Sequence, residues 1–154
     1  MYLKLTKHWK IIAFVLAIVC STLFIISNSL MDSEASHGVS NGVIELLIPE
    51  KYQDSSVVSF VVRKAGHLIE FAILGTIVMS LALFLQREKG KSFIGYALFY
   101  VLSVGVMDEH VQSFSDRTSS TDDIFLDFCG ALLGFAVAVA IRFLVSKLKE
   151  RKQK

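Results

Sequence analysis

Polar side chains interrupt the apolar stretches of this chain in a restricted pattern. His67 and Glu70 enter one apolar run, Asp108, Glu109 and Gln112 end another, and Asp123 and Asp127 begin a third. Arg117 sits in the short loop between the last two. An ionisable group in a membrane helix costs about 2.5–3.5 kcal/mol on insertion scales, so it usually faces a partner, a cavity or a site. His67 and Glu70, with Glu109 or Asp123 as a second acid, have the composition of a general acid–base pair, which leaves a catalytic role open. The same oxygens and one imidazole could hold a divalent cation, since carboxylate-rich sites suit magnesium, calcium or manganese. Arg117 could bind a phosphate or carboxylate through a bidentate fork, and Lys64 as a point charge. No HExxH or paired-cysteine zinc spacing is present, nor a P-loop or Rossmann fingerprint, which excludes a nucleotide-driven pump in this chain alone.

Helical spacing places these residues on common faces. His67, Glu70 and Leu74 follow i, i+3, i+7, with Lys64 one turn earlier on the same side. Gly105, Glu109 and Gln112 line up in the same way, and Asp123, Asp127, Gly130 and Gly134 form a further stripe. The GxxxG spacing of Gly130 and Gly134 lets another helix backbone approach closely. Each helix therefore brings a polar end above an apolar or small-residue face, and packing those faces converges the polar ends. A structural reading competes: Glu109 or Asp123 could pair with Arg117, and Glu70 with Lys64, to fix helix ends. Asp108, His110, Asp116 and Asp122 are expected to be solvated, and His8 and His37 lie outside the set.

The elements that carry these residues are membrane helices. Of 154 residues, 53% are hydrophobic and only 19% charged, with a mean hydropathy of +0.57. That balance fits an all-α integral membrane bundle of four transmembrane helices. The first run covers 11–27, the second about 65–86, the third about 93–107 and the fourth about 124–146. Cys20 and Cys129 fall inside spans, as small packing residues rather than a disulfide. The basic residues mark the ends: Lys4, Lys7 and Lys10 in segment 1–10, Arg87, Lys89 and Lys91 after the second run, and Lys147 to Lys154 in the tail 147–154. The positive-inside rule puts both termini in the cytoplasm and the polar set on the extracytoplasmic side. A retained helix, rather than a cleaved signal peptide, is expected for the first run. The charge pattern offers nothing that reads nucleic acid.

Segment 28–64 is expected to form short interfacial helices between the first and second spans. Val39, Val43, Leu46 and Leu47 have helical spacing that Pro49 ends. Asp54 or Ser55 could cap a second helix carrying Val57, Val58, Phe60 and Val61, with Gly66 as a bend before the second span.

Two stretches carry a family resemblance. One is Arg63-Lys64-Ala65-Gly66-His67-Leu68-Ile69-Glu70-Phe71-Ala72-Ile73-Leu74; the other runs from Asp108-Glu109-His110-Val111-Gln112 through Arg117 to Asp123, Asp127, Gly130 and Gly134. Together they resemble the VanZ-like family, whose founding member is a teicoplanin-resistance protein, over a core of three spans at 65–146. The family's polar signature corresponds to Lys64, His67, Glu70, Glu109, Gln112, Arg117, Asp123 and Asp127. Phe71 departs from it where tyrosine is common, and Ser115-Asp116 where a Pro-Gly turn is common. The resemblance implies a multi-pass protein of the bacterial cell membrane. The expected partner is a membrane lipid, a lipid-linked cell-wall precursor or a lipoglycopeptide antibiotic, met at the outer leaflet. An intramembrane hydrolase or transferase using the same residues is the alternative, and an ion-coupled transporter a weaker one. The sequence sets no oligomeric state.

Overall fold

The computed structural model of the protein describes residues 2–30, 42, 44–46, 49, 55–114 and 121–152. Its long helices are α1 (Tyr2–Leu30), α2 (Ser56–Lys89), α3 (Ile94–Gln112) and α4 (Thr121–Arg151), with no strand among the described residues. Pro49 is the sole proline of the sequence, so none of these runs contains a helix breaker of that kind. Gly90 ends α2: its φ of 65° is left-handed, and its N–H bonds back to the Gln86 carbonyl. That geometry favours a residue without a Cβ and closes the short connection to α3.

Three helices, His8–Leu30 within α1, α2 and α4, are long and apolar enough to cross a membrane. The expected third span, α3, is not among them: it has 19 residues, and its last turn is the polar Asp108–Gln112 segment. At 1.5 Å per residue, α2 with its 34 residues rises about 51 Å, against a hydrocarbon core of about 30 Å. The excess explains one difference from the sequence reading. Ser56–Lys64 is not a separate interfacial helix bent at Gly66 but the first turns of α2 itself. A glycine inside a helix costs only about 0.5–1 kcal/mol, too little to break a segment with long helix on both sides. Ser55 occupies the N-cap position, without a side-chain cap bond. In the other expected interfacial helix, residues 44–46 are helical and Ile44 is buried, whereas Val39, Val43 and Leu47 lie outside the described residues.

The packing contacts fix the direction of each helix. A Cβ on Gly130 would lie 2.6 Å from the Leu68 carbonyl oxygen, one on Gly134 would strike that of Ala72, and one on Gly75 that of Ala131. Leu68 with Gly130 and Ala72 with Gly134 rise together along both chains, so α2 and α4 run parallel in backbone contact. Farther along, Arg142 donates to the Leu83 carbonyl at 2.9 Å. By contrast α1 runs antiparallel to α2: Phe14 stacks on Phe84 at one end, and Asn28 meets Glu70 at the other. The core between the helices holds Ile25, Phe71, Leu74, Val101, Ala131 and Phe135. Large apolar side chains such as Leu23, Phe24, Ile73, Phe99, Leu133 and Phe143 point outward, as a lipid-facing surface requires.

Candidate functional site

The end of the bundle where α1 finishes and α2 and α4 begin collects the polar residues. Its floor is dry. Asp108 is 0% exposed, Asp127 1%, and Glu109 and Gln112 are 3% each. Ser29 of α1 donates to Asp108 Oδ1, and Gln112 Nε2 donates to Asp108 Oδ2 at 2.7 Å, one helical turn away on the same face. Gln112 Nε2 also lies 3.5 Å from Ser29 Oγ. Asp127 differs: among the described residues neither of its buried carboxylate oxygens accepts a hydrogen bond. The apolar wall beside it is formed by Phe71 and the bare backbone at Gly105, where an added Cβ would lie 3.7 Å from both Phe71 Cε1 and Asp127 Cβ.

The rim is half-buried. Lys64 of α2 pairs with Asp123 of α4, their side chains 25% and 21% exposed. Asn28 Nδ2 donates to Glu70 Oε1 at 2.8 Å. His67 reaches from the rim to the floor, its Nδ1 at 3.7 Å from Asp108 Oδ2 and 3.7 Å from Asp127 Oδ1. One potential ligand atom from each of His67, Asp108 and Asp127 falls within 4.8 Å of the others. The arrangement offers chemistry at two depths: hydrogen bonding and ion pairing at the rim, and concentrated carboxylate charge at the floor.

A family model described as VanZ/LLP1 matches residues 12–143. The chain belongs to this family. No curated protein and no solved structure matches it significantly. The match spans α1 as well as the other three helices, and so takes in every described residue of the VanZ/LLP1 chain's polar cluster.

Most of the residues singled out in the sequence meet here. Lys64, His67, Glu70, Glu109, Gln112, Asp123 and Asp127 lie at this one end, while Arg117 lies outside the described residues. Asp108 is not solvated as expected. It continues the stripe Ala97, Val101, Val104, Asp108 and Gln112, whose helical spacing turns it inward, and two donors satisfy its oxygens. His110 and Asp122 are exposed as expected, and Asp116 lies outside the described residues. Sequence reasoning missed Asn28 and Ser29, although Ile18, Thr22, Ile25 and Ser29 form an inward stripe along α1 in which Thr22 hydrogen-bonds with Tyr100. Cys20 and Cys129 are free.

Proposed function

We propose that this VanZ/LLP1 protein is a four-span protein of the bacterial cell membrane that recognises the polar head of an envelope lipid. Related ligand classes are a lipid-linked cell-wall precursor and a lipoglycopeptide such as teicoplanin. The observation that carries this reading is the half-buried rim of Lys64, His67, Glu70 and Asp123 above a dry, acid-rich floor, all at one end of an otherwise apolar bundle. Polar groups of both signs in that setting suit a headgroup with hydroxyl or amine donors and an anionic part. Lys64 and Arg117 hold the anionic part, Glu70, Glu109, Asp123 and Asp127 accept hydrogen bonds or engage positive charge, and His67 and Gln112 orient the network.

Helix directions support the orientation. The C-terminal ends of α2, with Arg87 and Lys89, and of α4, with Lys149 and Arg151, share the end occupied by Lys10 of α1. The polar cluster takes the opposite end. The positive-inside rule then places both termini in the cytoplasm and the cluster at the outer leaflet. Exposed Trp9 and Tyr96 lie towards the basic end, where aromatic side chains anchor at an interface.

The test is binding of defined envelope lipids and teicoplanin to the protein in nanodiscs, with Lys64→Ala and Arg117→Ala beside wild type. Saturable binding that weakens at least about tenfold in both variants, with the ligand recovered unchanged, supports recognition. A second reading, an intramembrane hydrolase or transferase, is favoured by the position of the His67 imidazole between two buried carboxylates. It predicts a change in ligand mass with wild type that is lost in Glu70→Gln and His67→Ala. No binding in wild type would overturn the recognition reading.

A further inference from the structure

We propose that His67, Asp108 and Asp127 form a site for a divalent first-row metal ion, of the zinc or manganese class, on the floor of the cluster. The distances point to a metal rather than to direct contact between the side chains. At 3.7 Å, His67 Nδ1 is too far from either carboxylate for an N–H···O hydrogen bond. Ligands about 2.1 Å from a tetrahedral metal, however, lie about 3.4 Å apart. The two histidine–carboxylate pairs exceed that spacing by only about 0.3 Å, and the two carboxylate oxygens, within 4.8 Å of each other, close together on the ion.

Charge and burial argue the same way. Asp127 is 1% exposed, and among the described residues its two oxygens accept no hydrogen bond, so an acceptor faces the floor with its demand unmet. Leaving a buried carboxylate in that state is costly unless a cation or proton arrives. Two aspartates and a neutral imidazole balance the charge of a divalent ion, which a low-dielectric bundle strongly favours. Asp108 is already held for the role: Ser29 fixes one oxygen, and Gln112 donates to the oxygen nearer His67. Such supporting donors are what orient metal-ligating carboxylates. Imidazole favours zinc and its neighbours whereas carboxylates favour manganese and magnesium, so the mixed donor set selects the overlap. Three protein ligands leave at least one coordination position for water or a ligand oxygen. The site shares His67 and Asp127 with the lipid reading, but it is read out by metal alone and needs no lipid.

The test strips the full chain in nanodiscs with a chelator, adds Zn(II) or Mn(II), and reads bound metal by mass spectrometry. About one ion per wild-type chain is expected. Asp127→Asn and His67→Ala should lose more affinity than the roughly 10–100-fold expected for the supporting change Gln112→Ala. Two readouts need only wild type: Co(II) should develop visible absorption from a nitrogen- and oxygen-ligated centre, and Zn(II) or Mn(II) should raise the unfolding temperature until chelator is added. Wild type that binds no more metal than Asp127→Asn, or that gives neither the Co(II) spectrum nor the thermal rise, overturns the proposal. Because the readout is metal alone, its failure is separate from a failure to bind lipid.

Discussion

Asn28 on α1 donates to Glu70 on α2 across 2.8 Å, at the end of the bundle where the polar cluster lies. With the bond from Ser29 to Asp108, it makes α1 a structural part of the cluster and not only an anchor. Polar bonds between membrane helices measure about 0.6 kcal/mol on average and up to about 1.7. A double-mutant cycle of Asn28→Ala with Glu70→Ala, read by reversible unfolding in detergent, should return a coupling within that span. Zero coupling would show that the two side chains contribute independently.

The Asp108 carboxylate is predicted to be the energetic centre of the floor. Ser29→Ala and Gln112→Ala each remove a donor from a fully buried acceptor, so each should destabilise by about 1–3 kcal/mol. Both act through one carboxylate, so the double variant should depart from the sum of the singles by at least about 0.5 kcal/mol. Thermal melts of the four proteins decide it; strict additivity would mean that the two donors do not share this network.

Helical phase explains what the sequence disclosed and what it hid. His67, Glu70 and Leu74 share a face because they repeat at helical spacing, and Gly130 and Gly134 announce a close crossing by theirs. Asp108 was obscured by its neighbours: between Met107 and Glu109–His110 it reads as the wet end of a run, and only registry with Val101 and Val104 turns it inward. Asn28 and Ser29 were hidden for a different reason. They follow an apolar run whose stripe of Ile18, Thr22 and Ile25 is faint, and what they touch lies 42 and 79 residues away in sequence. The start of α2 was also misplaced, since Gly66 looks like a hinge locally yet sits in an unbroken helix.

The α2–α4 crossing should not tolerate a methyl group. Gly134→Ala puts a Cβ onto the Ala72 carbonyl and Gly75→Ala puts one onto Ala131, both of them backbone atoms that cannot rotate away. Overpacking of this kind costs about 1–3 kcal/mol, and more where the helices must separate. Gly66 and Gly95 have nothing within 4 Å of an added Cβ, so Gly66→Ala and Gly95→Ala should leave stability unchanged or raise it by about 0.5–1 kcal/mol. Unfolding temperatures in detergent for the four variants check the contrast. Equal effects at Gly134 and Gly66 would contradict the packing.

Membrane topology turns on α3. Its 19 residues end in a polar turn, yet its partners constrain its height. At one end Phe93 follows the basic end of α2, where the Lys89 ammonium stands 5.7 Å from its ring; at the other, Asp108 lies against His67 near the start of α2. From Phe93 to Asp108 the axis rises about 23 Å, most of a hydrocarbon core of about 30 Å. If α2 crosses the bilayer, α3 must return across nearly the same depth, with its polar last turn covered by α1, α2 and α4 instead of lipid. Single cysteines at Ser92 and Thr121, both exposed, test this in a background carrying Cys20→Ala and Cys129→Ala. Thr121→Cys should react with a membrane-impermeant maleimide in intact cells, and Ser92→Cys only after permeabilisation. Labelling of both from the same side would mean that α3 does not cross, leaving three spans and separating the basic ends that the positive-inside rule joins.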